Sequence, residues 1–69
     1  MRFSARNVLA GTVKEVIKGP VSAEVTITVA PGIDVVSVIS VRSADALGLA
    51  PGRKAYALIK ASSVMVAVE

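Results

Sequence analysis

Two short segments hold most of the side chains that could do chemistry. Phe3-Ser4-Ala5-Arg6-Asn7 lies near one end of the chain and Ile59-Lys60-Ala61-Ser62-Ser63-Val64 near the other. Each sets one cation beside small hydroxyl or amide donors, next to apolar residues, and neither contains a carboxylate. A compact dianion drawn out of water needs both of its charges neutralised, because an unpaired buried charge is costly. Arg6 and Lys60 together would do that. Ser4, Asn7, Ser62 and nearby backbone N–H groups would supply neutral donors for the remaining lone pairs of an oxyanion. Taken singly, each of these residues reads as a solvated strand-end charge or an ordinary turn serine. The combination specifies an anion site.

Other chemistries find little support. The chain has no Cys and no His, and its five acids (Glu15, Glu24, Asp34, Asp45 and Glu69) are dispersed one per element, whereas a hard cation needs several converging oxygens. Ser4, Ser62 and Ser63 have cations nearby but no base, so nucleophilic or acid–base catalysis is not indicated and the chain reads as a non-enzyme without a cofactor. The five glycines are isolated, as in turns or bulges, and none belongs to a phosphate-cradling loop. Single-stranded nucleic acid is held largely by stacking on aromatic rings. Phe3 and Tyr56 are the only aromatic residues here. Eight Lys/Arg against five Asp/Glu give a net charge of +3, but the cations are scattered, so neither a nucleic-acid arm nor a membrane patch is expected.

The elements that must position the two clusters follow from periodicity. Val21 to Val29 alternates strictly, apolar at odd and polar at even positions, which predicts a half-buried strand. Val8 to Ile17 is strand-like with a phase shift, predicting a bulge or bend between Gly11 and Glu15. Lys18-Gly19-Pro20 turns the chain, and Ala30-Pro31-Gly32 has the order of a type II turn. Ile33 to Val41, apolar on both faces, reads as a doubly covered strand. Ser43 to Gly48 reads as one helical turn with Ser43 as N-cap and Gly48 as terminator. After Ala50-Pro51-Gly52, Arg53 to Lys60 and Ser63 to Val68 are expected as the last two strands. The expectation is an all-β fold: a small five-stranded Greek-key barrel resembling the OB-fold, with one short helical turn. A two-sheet β-sandwich is the alternative.

At 69 residues the chain is expected to be a single domain, 1–69, too small to be comfortably stable alone. Without Cys or His, neither disulfides nor a structural zinc site can reinforce it. Yet 54% of residues are hydrophobic and the mean hydropathy is +0.70. Apolar surface that one small core cannot hide must meet another subunit, so a homo-oligomer is expected. No apolar run approaches the ~20 residues that span a bilayer, and no secretory signal pattern opens the chain. The protein therefore reads as soluble and cytoplasmic.

At Ser4-Ala5-Arg6-Asn7, Leu9-Ala10-Gly11, Val13 to Gly19 with Glu24-Val25, Ser37-Val38-Ile39-Ser40 with Ser43, Leu47-Gly48-Leu49 and Lys60-Ala61-Ser62-Ser63-Val64, the sequence resembles the molbindins, a family of small molybdate-binding proteins. The resemblance runs nearly end to end. It implies an OB-like barrel assembled as a hexamer, a trimer of dimers, with molybdate or tungstate bound at subunit interfaces. Carried over by position, Ser4, Arg6 and Asn7 come from the first motif, and Lys60, the Ala61 backbone and Ser62 from the last. Ser40 and Ser43 match a stretch that contributes hydroxyls from the neighbouring subunit, with Ser40 standing where Thr is more usual. A second oxyanion site would use Lys18, Gly19 and Ser22, although Pro20 removes a backbone donor there.

The function expected from the sequence is thus molybdate and tungstate binding for intracellular molybdenum storage or homeostasis. An oxyanion-responsive interaction module is the alternative from another class, and an OB-type nucleic-acid binder a third.

Overall fold

The computed structural model describes all 69 residues, Met1–Glu69. It comprises β1 (Asn7–Lys18), β2 (Ser22–Ala30), β3 (Ile33–Ser40), the helix α1 (Val41–Ala46) and β4 (Lys54–Ile59), followed by a 3₁₀ turn at Ala61–Ser63. The strands make one antiparallel, curled sheet in the order β3-β2-β1-β4. β1 serves two neighbours in succession: Asn7 to Thr12 pairs with β4, and Thr12 to Lys18 pairs with β2. A strand shared in this way has to bend. The register against β2 shifts between Val13 and Glu15, within the stretch where the phase of the sequence slips. A bulge there raises the local twist and turns the strand.

The alternation in β2 becomes burial. Ala23, Val25 and Ile27 are buried, and with Val13, Ala57 and Ala44 they make up the fully buried set. Val16, Val29, Val35, Ile39, Leu49 and Ala55 pack around Val13, Val25, Ile27 and Ala57. The β2–β3 hairpin turns at Pro31-Gly32, where Gly32 has φ 74°, the left-handed value that the third position of a type II turn requires. Beside it Thr28 Oγ1 donates to Asp34 Oδ1 at 2.7 Å, and Lys14 Nζ, on the bulge, donates to Asp34 Oδ2 at 3.1 Å. The Thr28 hydroxyl first, and then the Lys14 ammonium, hold the Asp34 carboxyl below its usual range.

Three sequence expectations change here. Ser43 is not the N-cap of the helix. α1 starts at Val41 directly from β3, and Ser40, extended at φ −67° and ψ 149°, caps it by accepting from Ser43 N at 3.0 Å. Both serines have the right chemistry, but Ser40 occupies the last extended position and so captures the role. Replacing Ser40 with Ala should cost about 0.5–2 kcal/mol of stability, the usual range for a lost N-cap; the urea midpoint of unfolding reads it directly, and an unchanged midpoint would count against the cap.

β3 is not doubly covered within the chain. It is an edge strand whose Val35, Ser37 and Ile39 face inward, half-buried, while Val36 and Val38 are exposed. The fifth strand is also missing from the sheet. Past the 3₁₀ turn, the residues from Val64 on pair with no strand of their own chain. No helix is long and apolar enough to cross a membrane.

Candidate functional site

The two end motifs meet through the β1–β4 ladder. Asn7 and Ile59 are the last paired residues at that end, and Asn7 Nδ2 also donates to Ile59 O at 3.3 Å. Arg6 and Lys60 adjoin that last pair in the chain, so both lie at this end of the sheet. Both are exposed, and neither belongs to the two ion pairs of the structure, Lys14–Asp34 and Lys18–Asp45. Ser4 precedes Arg6 and is exposed as well. On the other side, the 3₁₀ turn is closed by Ser63 N donating to Lys60 O at 2.8 Å and Val64 N to Ala61 O at 3.3 Å. The N–H groups of Ala61 and Ser62 come before the first of these bonds and are not used by the turn, as is usual at a helical start. Ser4, Arg6, Asn7, Lys60, Ala61 and Ser62 are therefore gathered at one end of the sheet by a single chain.

Ser40 and Ser43 are not part of that group. Ser40 pairs with Ser22, and Lys18 with Ala23, at the other end of β1. Twelve residues of strand separate the two groups, up to about 36 Å along an uncurled strand at ~3.3 Å per residue. The Ser40 hydroxyl donates to Ser43 Oγ at 2.9 Å while accepting from Ser43 N, so its own hydrogen is committed and that of Ser43 is not.

The residues of the second expected site, Lys18, Gly19 and Ser22, adjoin Ser40 at this same end. Two of their donors are engaged: Lys18 Nζ donates to Asp45 Oδ1 at 2.6 Å, and Gly19 N donates to Ser22 O at 2.8 Å. An open recess beside them is lined by Pro20, Val21, Ser40, Val41, Arg42 and Asp45. Sequence reasoning missed Asp45 and Arg42 as members of this end of the molecule. Asp45 is 27 residues from Lys18, and no local spacing links the pair. It emerges only once α1 folds back over the β1–β2 turn.

A curled, mostly β sheet with one short helix and a cation-and-hydroxyl cluster at its strand ends defines a small binding domain. The comparisons with known proteins then fix the family. The TOBE domain model matches residues 4–66. A probable molybdenum-pterin-binding protein of Haemophilus influenzae is 45% identical over the whole of both chains. The molybdenum-pterin-binding protein MopA of Rhodobacter capsulatus is 51% identical over 97% of this chain, though that covers only 25% of MopA. Among solved structures, a molybdate-binding protein from Sporomusa ovata superposes with a TM-score of 0.91 at 40% identity, covering 99% of this chain and all of that one. The chain belongs to the molbindin (Mop) family of TOBE domains. It spans about a quarter of the length of several curated relatives, MopA among them, and the full length of others.

Proposed function

We propose that this chain binds molybdate, and equally tungstate, as an oxyanion at interfaces between subunits, and that it stores or buffers the ion in the cytoplasm for molybdenum homeostasis. The observation that supports the reading is the Asn7–Ile59 pair, which brings Arg6 and Lys60, the residues next to it in the chain, to one end of the sheet with no acid paired to either. Like charges gathered at one end of the sheet repel each other. A dianion bound by both converts that repulsion into attraction, and the hydroxyl and N–H groups of Ser4, Ser62 and Ala61 lie at the same end of the sheet. The molybdate-binding relatives support the identity of the ion.

In this reading Ser4, Arg6, Asn7, Lys60, Ala61 and Ser62 come from one subunit and Ser40 and Ser43 from its neighbour. The strand length between the two groups supports the division. Ser43 holds the uncommitted hydroxyl hydrogen and donates to the ion, while Ser40 orients it. The second site at Lys18, Gly19 and Ser22 takes an anion only when Lys18 leaves Asp45, so the acid competes with the ligand there. Residues 1–69 act as a single domain, an OB-like Greek-key barrel completed on assembly into a hexamer, a trimer of dimers. The function requires no catalysis, cofactor, nucleic acid or membrane.

Selectivity follows from geometry. Molybdate and tungstate are near-identical tetrahedral dianions, and fixed donors hold them alike. Sulfate carries the same charge on shorter bonds, so a rigid cage sized for the larger ion leaves it with loosened hydrogen bonds. The test is to desalt the purified protein after mixing with molybdate and count the retained molybdenum. Retention that survives excess sulfate but not excess tungstate is expected; no retention, or displacement by sulfate, ends the proposal.

A second reading draws on the longer relatives, in which a segment like this chain makes up about a quarter of the protein, the molybdenum transport protein ModE of Azotobacter vinelandii among them. In that reading the domain reports oxyanion occupancy to a partner. Capture of a specific protein only when molybdate is present would favour it over storage.

A further inference from the structure

The helix α1 brings one cation and one acid to the second oxyanion site. Arg42 and Asp45 are three apart on it, the spacing that puts two side chains on one face and lets opposite charges interact. Both line the open recess beside Pro20, Val21 and Ser40. They are not paired with each other. Asp45 Oδ1 accepts from Lys18 Nζ at 2.6 Å instead, and Arg42 has no acid within ion-pair reach. The Lys18 and Asp45 side chains are 49% and 58% exposed, and an ion pair so well solvated is weak and readily exchanged. The backbone of the turn gives an anion little: Gly19 N is held by Ser22 O at 2.8 Å, and Pro20 has no N–H. Whether an oxyanion binds there therefore depends on whether Lys18 is free.

We infer that Asp45 is a movable guard of the second site, held by Lys18 when the site is empty and passed to Arg42 when an oxyanion takes Lys18. The inference rests on the oxyanion reading above and adds the two α1 residues that decide when that site fills. The exchange strands no charge. The dianion gains the Lys18 ammonium, and the carboxylate gains the Arg42 guanidinium from the preceding turn of its own helix. Without Arg42 the released carboxylate would stay beside the bound dianion, and like charges repel. Side-chain rotation is all that is required. The Asp45 carbonyl keeps its bond from Gly48 N at 3.0 Å, and exposed side chains change rotamer in nanoseconds or less. Arg42 thus acts through Asp45 and not on the ion. At the first site Arg6 and Lys60 have no acid to shed. The second site accordingly fills at a higher oxyanion concentration, and Asp45 sets it.

The test uses the full chain with Arg6→Ala, which silences the first site, and reads the remaining molybdate binding by equilibrium dialysis. Adding Asp45→Asn should tighten that binding about tenfold, the order of effect of one unit charge on a dianion a few ångströms away in water. The gain should vanish when Lys18→Ala is also present. Adding Arg42→Ala should weaken binding about two- to fivefold, the range of an exposed ion pair, and should have no effect in the chain that already carries Asp45→Asn. Three results would overturn the inference: no gain from Asp45→Asn, an equal gain without Lys18, or an equal loss from Arg42→Ala with and without Asp45. The second would make Asp45 a diffuse negative charge, and the third would make Arg42 a direct ligand of the ion. Asp45→Ala replaces Asp45→Asn should circular dichroism show that variant unfolded. A wild-type chain that binds no molybdate sinks the oxyanion reading; a wild-type chain that binds it, with no gain from Asp45→Asn beside Arg6→Ala, sinks the exchange alone.

Discussion

Arg6→Ala and Lys60→Ala should each weaken molybdate binding by about 30-fold to about 4,000-fold while the assembly keeps its elution position on a sizing column. The magnitude follows from removing one member of a desolvated, charge-assisted contact, which costs about 2–5 kcal/mol, at about 1.4 kcal/mol per tenfold. Much of that cost is the charge left unbalanced on the bound ion. The assembly should persist because neither side chain takes part in an intrachain ion pair and both are exposed. Arg6→Lys should fall between wild type and Arg6→Ala, since it keeps the charge but loses the planar fork that grips two oxygens at once. Ser62→Ala removes only a neutral donor, worth about 0.5–1.5 kcal/mol, and should weaken binding by no more than about tenfold. Equilibrium dialysis against molybdate orders the four variants. Unchanged affinity in both alanine variants of the cations would remove the site from this end of the sheet.

That candidate site could be proposed from the sequence because it is made of short motifs with an unusual charge balance. Two cations, several donors and no acid remain visible without knowing any fold. Their meeting was less visible. Arg6 and Lys60 are 54 positions apart (60 minus 6), and only the pairing of Asn7 with Ile59 brings them to one end of the sheet. Pairings between distant elements leave no periodic trace. Lys18 and Asp45 make the same point in reverse. The second cluster came from the family resemblance alone, and nothing near Lys18 in sequence announces the acid of α1 that it meets in the fold.

The fold divides along similar lines. β2 could be read residue by residue, since its inward and outward faces alternate without a break. The bulge in β1 announced itself through a slipped phase, and Pro31-Gly32 through turn chemistry with a single backbone solution. β3 and the C-terminal segment misled for one physical reason. Apolar residues on both faces, or along a whole segment, say that surface must be covered but not by what. Val36, Val38, Met65, Val66 and Val68 are apolar and exposed in the single chain. Reading them as intrachain strand core assigned them a cover that the single chain does not provide. The helix cap failed on a smaller scale: Ser40 and Ser43 are three apart and both competent, and only the end of β3 decides between them.

Gly11→Ala should be the most damaging single-methyl addition in the chain, at or above the upper end of the usual range of about 1–3 kcal/mol for overpacking. A Cβ at Gly11 would lie 2.5 Å from the carbonyl oxygen of Thr28 and 2.8 Å from Ile27 Cγ2. The first of these is backbone held in the β1–β2 ladder, where Thr12 pairs with Thr28, so it cannot swing aside as a flexible side chain would. Gly11 has no positive φ, which makes the penalty one of space rather than conformation. Gly32 provides the converse: nothing lies within 4 Å of its added Cβ, and φ 74° alone opposes alanine. Gly32→Ala should therefore lower stability by about 1–2 kcal/mol, the cost of a left-handed residue that bears a Cβ, and leave the sheet register intact. A domain of this size is stable by only about 0.05–0.15 kcal/mol per residue, so Gly11→Ala removes a large share of that margin. Because β1 runs from Asn7, beside Arg6, to Lys18, its displacement at Gly11 should also disturb the proposed oxyanion site. Urea unfolding should rank Gly11→Ala well below Gly32→Ala, and molybdate retention should fall with the first and not with the second. If the two variants unfold at the same urea concentration, the close crossing of β1 over β2 is not what holds this strand in place.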